Sequence, residues 1–349
     1  MPDIEFTNAV DRALRKAVEQ GGYAQVIVLT DHNTGRIVLP QVAGELPPFT
    51  HITIPAGEGH KTLDTVVQVW RELQQAGATR HAVMVNLGGG MVTDLGGFAA
   101  ATYKRGIPFM NVPTTLLAAV DAAVGGKTGV DFGGLKNQVG VFAQAAATII
   151  STRFFSTLPS EELLSGYAEM VKHALLGDAA ALAHQLQGDP TRVDSYTLLD
   201  ALRASVMVKH RIVEQDPLEQ GPRKALNLGH TVGHALESLM LGRGTPVPHG
   251  IAVAWGLVAE LVLSHMAWHF PSTTLHQVAH FVHDYYPSPT ITCDHYDQLL
   301  ALMRHDKKSR AGEINCTLLE AVGRPKLDCT IAPDDMRTAL DIFRDLMGV

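Results

Sequence analysis

Short apolar runs and longer amphipathic stretches alternate through the first half of the chain. Ala24-Gln-Val-Ile-Val-Leu-Thr30 is a β-branched run closed by the polar Asp31-His-Asn33, which predicts a buried strand ending in a turn. His51-Ile-Thr-Ile-Pro55 predicts a second strand and Pro108-Phe-Met-Asn-Val-Pro113 a later one. Between these, Ala82-Val-Met-Val-Asn-Leu87 predicts a strand running straight into Gly88-Gly-Gly90. Residues 62–77 place Leu63, Val66, Val67, Val69, Trp70 and Leu73 along one helical face, and 92–101 also reads as helix. Strands alternating with helices predict an α/β domain with a mainly parallel sheet, whose ligands bind at the carboxyl ends of the strands. Near residue 158 the pattern changes. Helical spacing predicts helices over 161–176, with Ser160 as N-cap, and over 195–214, 230–241, 250–269 and 334–347, while strand signals are few. The expected organisation is an α/β domain over 1–158 and a mainly α-helical domain over 159–349.

Composition narrows the class. The chain has 349 residues, 46% hydrophobic and 18% charged, which is ample for full cores and excludes intrinsic disorder. A formal net charge of −7 argues against nucleic acid as the main partner, so any anion site must be a local basic cluster. The three cysteines, Cys293, Cys316 and Cys329, are widely spaced without a CxxC. They suit a reducing compartment, the cytoplasm, and argue against a thiolate zinc site. The opening MPDIEFTNAVDRALRK lacks a signal-peptide pattern, and no run of 18 apolar residues predicts a membrane span.

Three constellations carry chemistry. Asn86-Leu-Gly-Gly-Gly-Met-Val-Thr-Asp94 follows a strand and opens a helix. Glycines there let a pyrophosphate approach the backbone, and the first N–H groups of the helix bind anions. A tight turn without a ligand would look similar. Asp31 and Asn33, ending an earlier strand, tilt the reading towards a nucleotide whose ribose they could bind. Among seventeen histidines most carry no signal, but Asn227-Leu-Gly-His230-Thr-Val-Gly-His234 places two on one helical face. Glu169 and His249 flank them, and a Glu with two His leaves open positions on zinc, the catalytic pattern. Spacing leaves open which two histidines bind, and two helix histidines making local hydrogen bonds is the plainer alternative. The cations Lys104-Arg105, Lys127, Lys136, Lys172, Lys209, Arg223 and Lys307-Lys308 are scattered; Lys127 and Lys136 sit in glycine-rich loops, and Lys172 shares a helix face with Glu169. Taken singly they read as solvated surface charges. Converging, they would form a pocket for a substrate with more than one anionic group.

In order along the chain stand Gly88-Gly-Gly-x-x-x-Asp94, Val112-Pro-Thr-Thr-Leu-Leu117, Asp121-x-x-x-Gly-Gly-Lys127, Lys136-Asn137, Tyr167-Ala-Glu-Met-Val-Lys172, Arg223-x-x-Leu-Asn-x-Gly-His230-x-x-Gly-His234 and His249-Gly250. Together, over residues 24–323, they resemble the 3-dehydroquinate synthase family of sugar phosphate cyclases. The resemblance implies a Rossmann-like N-terminal domain, a helical C-terminal domain and an active site in the cleft between them. It implies a lyase of the shikimate pathway, in aromatic amino acid biosynthesis, acting on 3-deoxy-D-arabino-heptulosonate 7-phosphate with NAD and zinc or cobalt. The implied metal ligands are Glu169, His230 and His249, with His234 beside them as a proton shuttle. The implied NAD contacts are Asp31, Asn33, Glu58, Lys61, Gly89, Gly90, Asp94, Thr114, Thr115, Thr157 and Leu158. Asp121 and Lys127 are placed near nicotinamide and substrate, and Asp121 and Lys172 on substrate hydroxyls. Lys127, Lys136, Asn137, Asn227, Lys307, Lys308 and Arg105 fall at phosphate-side positions, and Lys209 and Arg223 hold the substrate carboxylate. A cytoplasmic homodimer is implied, with Arg105 reaching across from the partner subunit; no nucleic acid or membrane is expected.

One departure is visible: Leu135-Lys136-Asn137 stands where the family commonly has Gly-Lys-Asn, the glycines being at Gly133-Gly134. Two enzyme alternatives share the plan. A cyclase making 2-deoxy-scyllo-inosose or a valiolone has a substrate without a carboxylate, which would leave Lys209 and Arg223 without a partner. A metal-dependent polyol dehydrogenase would release NADH and typically begins its metal set with Asp rather than Glu169. A non-catalytic binding protein predicts no phosphate release at all.

Overall fold

The computed structural model describes residues 3–192, 195–304 and 313–349. The chain divides into two compact units, Met1–Leu158 with Val193–Val206, and Pro159–Arg192 with Met207–Val349. A single break at residue 158 therefore leaves out one segment. The helical pattern over 195–214 gives no sign of a division, because one continuous helix runs through it.

The first unit comprises β1 (Asp3–Phe6), α1 (Val10–Gly21), β2 (Gln25–Asp31), α2 (His32–Ile37), α3 (Leu39–Val42), β3 (Phe49–Ile54), α4 (Leu63–Gln75), β4 (Ala82–Gly88), α5 (Gly90–Thr102), β5 (Phe109–Pro113), β6 (Lys127–Phe132), β7 (Leu135–Phe142) and β8 (Ala147–Ile150). Six strands form a parallel sheet in the order β1-β8-β5-β4-β2-β3. Both faces are covered, which is why its inner strands read as unbroken apolar runs. Along β2, Val26 and Val28 pack with Val10 and Leu14 of α1, while Ile27 and Leu29 pack with Val66 and Leu73 of α4 and Val92 and Leu95 of α5. Thr62 caps α4, its hydroxyl accepting from Thr65 N at 3.3 Å.

Lys127 and Lys136 do not lie in loops, as their glycine neighbours suggest. They sit on β6 and β7, an antiparallel hairpin turned at Gly133-Gly134. Both glycines have positive φ (+61° and +77°), the turn conformation that matches strand twist. The glycine pair displaced from the family pattern thus makes the hairpin turn.

The second unit holds α6 (Ser160–Leu176), α7 (Ala179–Gln187), the later part of α8 (Ser195–Gln215), α9 (His230–Gly242), α10 (His249–Trp268), α11 (Ser272–Tyr285), α12 (Tyr296–Arg304), the hairpin β9 (Ile314–Ala321) and β10 (Arg324–Ile331), and α13 (Pro333–Met347). Ser160 is the first residue of α6 rather than its cap; Pro159 occupies the cap position. The β9–β10 hairpin has no counterpart in the sequence reading. By length and composition α10 could cross a membrane, but 83% of its apolar window is buried inside the fold, as suits a core helix.

Glycines let α10 approach its neighbours closely. A Cβ at Gly250 would overlap the Ser165 carbonyl oxygen of α6, and one at Gly256 would overlap the Gly229 carbonyl oxygen at the start of α9. Those contacts are backbone and cannot swing away. Gly256→Ala is expected to lower unfolding free energy by about 1–3 kcal/mol or more, as overpacking does. A chemical denaturation midpoint equal to the wild type would contradict this packing.

Candidate functional site

In the second unit, α6, α9 and α10 bring one carboxylate and three imidazoles together. Glu169, on α6, is fully buried. Neither of its carboxylate oxygens accepts a hydrogen bond of ordinary geometry. Oε2 forms an ion pair with Lys172 Nζ, one turn along the same helix. Oε1 faces Nε2 of His230 at 3.5 Å and Nε2 of His249 at 4.0 Å. His230 is the first residue of α9 and His249 the first of α10. His234, one turn into α9, completes the cluster: a ligand nitrogen from each of the three histidines lies within 4.8 Å of the others. Sequence spacing alone pairs His230 with His234; the fold adds His249 and Glu169 to them.

The backbone holds these side chains in place. His230 Nδ1 lies 3.0 Å from the Leu228 carbonyl oxygen. A carbonyl can only accept, so Nδ1 carries the proton and the Nε2 lone pair is left on the Glu169 side. The buried Glu260 of α10 accepts from Gly229 N at 2.6 Å and Val232 N at 3.1 Å, which fixes the first turn of α9. Ser165 Oγ accepts from Gly250 N at 3.0 Å and anchors the start of α10 on α6. A buried carboxylate whose Oε1 faces the Nε2 atoms of two imidazoles fits the donor set of a divalent metal such as zinc. Glu169, His230, His249 and His234 are the residues that could hold one.

Besides Lys172, two further cations of this unit are buried: Lys209 and Arg223. Arg223 donates from Nη1 to the Pro217 carbonyl oxygen at 2.6 Å. The loop before it is organised by Asp216, which accepts from Gln220 N, Gly221 N and Arg223 N at 3.0, 2.6 and 3.1 Å. Desolvation would raise the Asp216 carboxyl, but these three N–H donors outweigh it and hold the group below its ordinary value. Asn227 donates from Nδ2 to Glu219 Oε1 at 3.1 Å. Glu219 and Glu260 carry no role in the sequence reading. A Glu two residues before a glycine and a Glu inside an apolar helix give no motif; the positive φ of Glu219 (+59°) and the burial of Glu260 appear only in the fold.

In the first unit, β4 ends at Gly88 and α5 begins at Gly90, with Gly89 in the cap position. No side chain caps α5, so its first N–H groups are available to a phosphate. Asp31 ends β2, the strand beside β4, and caps α2 by accepting from Thr34 N at 2.8 Å. Asn33 follows it, exposed. This arrangement fits a dinucleotide. Thr114 is buried and its N–H reaches the Gly88 carbonyl oxygen at 3.0 Å; Thr115 Oγ1 accepts from Ala118 N at 3.1 Å. Asp121 lies in the π-helical turn Ala118–Ala122. The buried Lys61 donates to Asp94 Oδ2 at 2.6 Å and Asn137 Oδ1 at 2.7 Å, with Glu58 Oε1 at 3.6 Å. Lys61 thereby joins positions assigned to NAD (Glu58, Asp94) to a position assigned to phosphate (Asn137).

Residues 51–165 match the family model described as 3-dehydroquinate synthase N-terminal, and residues 166–309 the one described as 3-dehydroquinate synthase C-terminal. The chain belongs to the 3-dehydroquinate synthase family. It is 45% identical over 330 residues to a 3-dehydroquinate synthase of Parabacteroides distasonis, covering 94% of this chain and 93% of that one. Its fold is that of 2-deoxy-scyllo-inosose synthase, complexed with carbaglucose-6-phosphate, NAD+ and Co2+ (TM-score 0.85, 24% identity, 98% of this chain and 96% of that one). It also matches ValA, a 2-epi-5-epi-valiolone synthase from Streptomyces hygroscopicus subsp. jinggangensis 5008 with NAD+ and Zn2+ bound (TM-score 0.82, 25% identity, 99% of this chain and 97% of that one).

Other positions implied by the 3-dehydroquinate synthase family fall as follows. Thr157 and Leu158 end the first unit, Thr157 Oγ1 donating to the Phe154 carbonyl oxygen at 3.0 Å. Lys127, Lys136 and Asn137 are exposed on the β6–β7 hairpin, where Asn137 N donates to Asp131 Oδ1 at 2.7 Å. Arg105 is exposed after α5, with φ of +68°. Lys307 and Lys308 lie outside the described residues.

Burial raises the Asp94 carboxyl to about 6, against the opposing pull of Lys61. The folded chain then holds this proton more tightly than the unfolded one. The stability this adds is complete below the ordinary value of 3.8 and is lost as pH rises through about 6. Asp94→Asn is expected to remove that fall, so wild-type stability relative to the variant should drop across this window. Parallel pH profiles from denaturation of the two proteins would contradict the burial of an ionisable Asp94.

Proposed function

We propose that this chain converts 3-deoxy-D-arabino-heptulosonate 7-phosphate to 3-dehydroquinate and phosphate. The observation that carries the reading is the buried Glu169 carboxylate facing His230, His249 and His234, in a chain 45% identical to a 3-dehydroquinate synthase. The ValA structure, which has NAD+ and Zn2+ bound, supports both cofactors. Held by Glu169, His230 and His249, the metal would supply Lewis acidity to substrate hydroxyls, and bound NAD would supply reversible hydride transfer with no net NADH.

The chain's own residues do the rest. Asp31, Asn33, Glu58, Lys61, Asp94, Thr114, Thr115, Thr157, Leu158 and the N–H groups at Gly89 and Gly90 hold the dinucleotide. Lys209 and Arg223 take the substrate carboxylate, a group that inosose and valiolone precursors lack. Lys127, Lys136, Asn137, Asn227 and Arg105 take the phosphate. Asp121 and Lys172 bind substrate hydroxyls, and His234 moves protons. Oxidation of the C5 alcohol acidifies the neighbouring C–H, phosphate leaves by β-elimination, and the held phosphate is itself the base. Reduction, ring opening and an intramolecular aldol step close the carbocycle. The reading includes a cytoplasmic homodimer in which Arg105 serves the partner subunit.

A phosphate-release assay with NAD and zinc tests this. Release is expected from the heptulosonate phosphate, without net NADH, and to stop once a chelator has removed the metal. Turnover of glucose 6-phosphate or sedoheptulose 7-phosphate in its place would assign the chain to another cyclase reaction.

A further inference from the structure

The two histidines that open α9 and α10 are oriented by different partners. His230 Nδ1 meets a neutral backbone carbonyl, that of Leu228, at 3.0 Å. His249 Nδ1 meets a carboxylate instead, Oε2 of Glu237, at 3.1 Å. Glu237 is seven residues beyond His230 on α9, so His230, His234 and Glu237 share one stripe of that helix. Its side chain is 13% exposed and that of His249 25% exposed, so the pair is largely withdrawn from water. An ionised carboxylate only accepts, so Nδ1 of His249 carries the proton and the Nε2 lone pair is aimed at Glu169 Oε1, 4.0 Å away. The main chain of His249 is pinned separately, through Gly250 N on Ser165 Oγ. Backbone anchoring sets where the residue sits, and Glu237 sets which way its ring faces.

We propose that Glu237 is a positioning residue for the metal centre: it fixes the tautomer and ring plane of His249 and makes that imidazole a stronger donor. The proposal rests on the reading of Glu169, His230 and His249 as metal ligands. It assigns Glu237 no contact with substrate. A carboxylate behind an imidazole ligand pre-orients it and increases its basicity, and losing such a partner typically costs about 10–100-fold in metal affinity. Glu169 also loses an aligned neighbour when the ring of His249 can rotate.

The test is zinc affinity of the metal-stripped full-length protein, measured by competition with a chromophoric chelator, for wild type, Glu237→Gln and Glu237→Ala. The glutamine is isosteric, keeps an acceptor oxygen and loses only the charge, so it decides the matter if the alanine variant does not fold. Expected is a loss of about 10-fold for glutamine and up to about 100-fold for alanine. NAD affinity and the thermal midpoint of the metal-free protein should stay at wild-type values, as a general structural defect would not allow. Zinc affinity of the glutamine variant within about twofold of wild type would overturn the proposal. A wild-type protein that takes up no zinc would overturn the metal reading itself, and the proposal with it.

Discussion

A charged carboxylate in a protein core must be compensated, and Glu169 imposes that constraint here. An uncompensated buried charge costs several kcal/mol. Lys172, buried beside it on the same helix, supplies one opposite charge. The opposite side of the carboxylate looks onto His230 and His249, each the first residue of its helix. A divalent ion held between them would supply the rest of the compensation, and two helix starts converge on one side chain of α6 to make that place. Gly229, Gly233, Gly250 and Gly256 make that possible, because backbone passes where side chains would otherwise separate the helices. Glu260 and Ser165 then tie down the same two helix starts through backbone N–H groups.

The first unit, proposed to hold the nucleotide, solves a different problem with similar economy. The start of α5 has no side-chain cap, so an anion placed there would meet its first N–H groups. Lys61 adds a fixed positive charge within that unit and ties Asp94 to the β6–β7 hairpin through Asn137. That hairpin is pinned again where Asp131 N donates to the Lys61 carbonyl oxygen at 2.8 Å. One lysine thus contributes both its ammonium and its backbone to the placement of the hairpin that carries Lys127, Lys136 and Asn137, three residues proposed for the phosphate.

Much of this was legible in the sequence where chemistry follows a local period. The parallel sheet declared itself as apolar runs between amphipathic helices, and Glu169 with Lys172 as neighbours on a helix. The partnership of His230 and His234 was equally plain. His249 was not placed by spacing, since its position depends on Gly250 settling against Ser165 of a helix some eighty residues earlier, and the resemblance to known motifs supplied it. Glu260 was invisible because an apolar helix gives no hint of which backbone its one carboxylate meets. The β6–β7 hairpin reads as loop because its strands do not alternate: Phe132, Leu135 and Phe142 are exposed, and glycines surround them. The β9–β10 hairpin escapes for the opposite reason, Thr317, Leu318 and Leu319 being buried in succession without a period of two. The membership of Val193–Val206 in the first unit leaves no mark on a helical pattern that continues without interruption.

A divalent ion at the meeting point of α6, α9 and α10 would join Glu169 to His230 and His249. The most direct measurement is an anomalous difference map at the zinc edge from crystals of the zinc-loaded protein. It should show one strong peak per chain, about 2.0–2.2 Å from a Glu169 carboxylate oxygen and from Nε2 of His230 and His249. Zinc bound elsewhere, with Glu169 still paired only to Lys172, would contradict it.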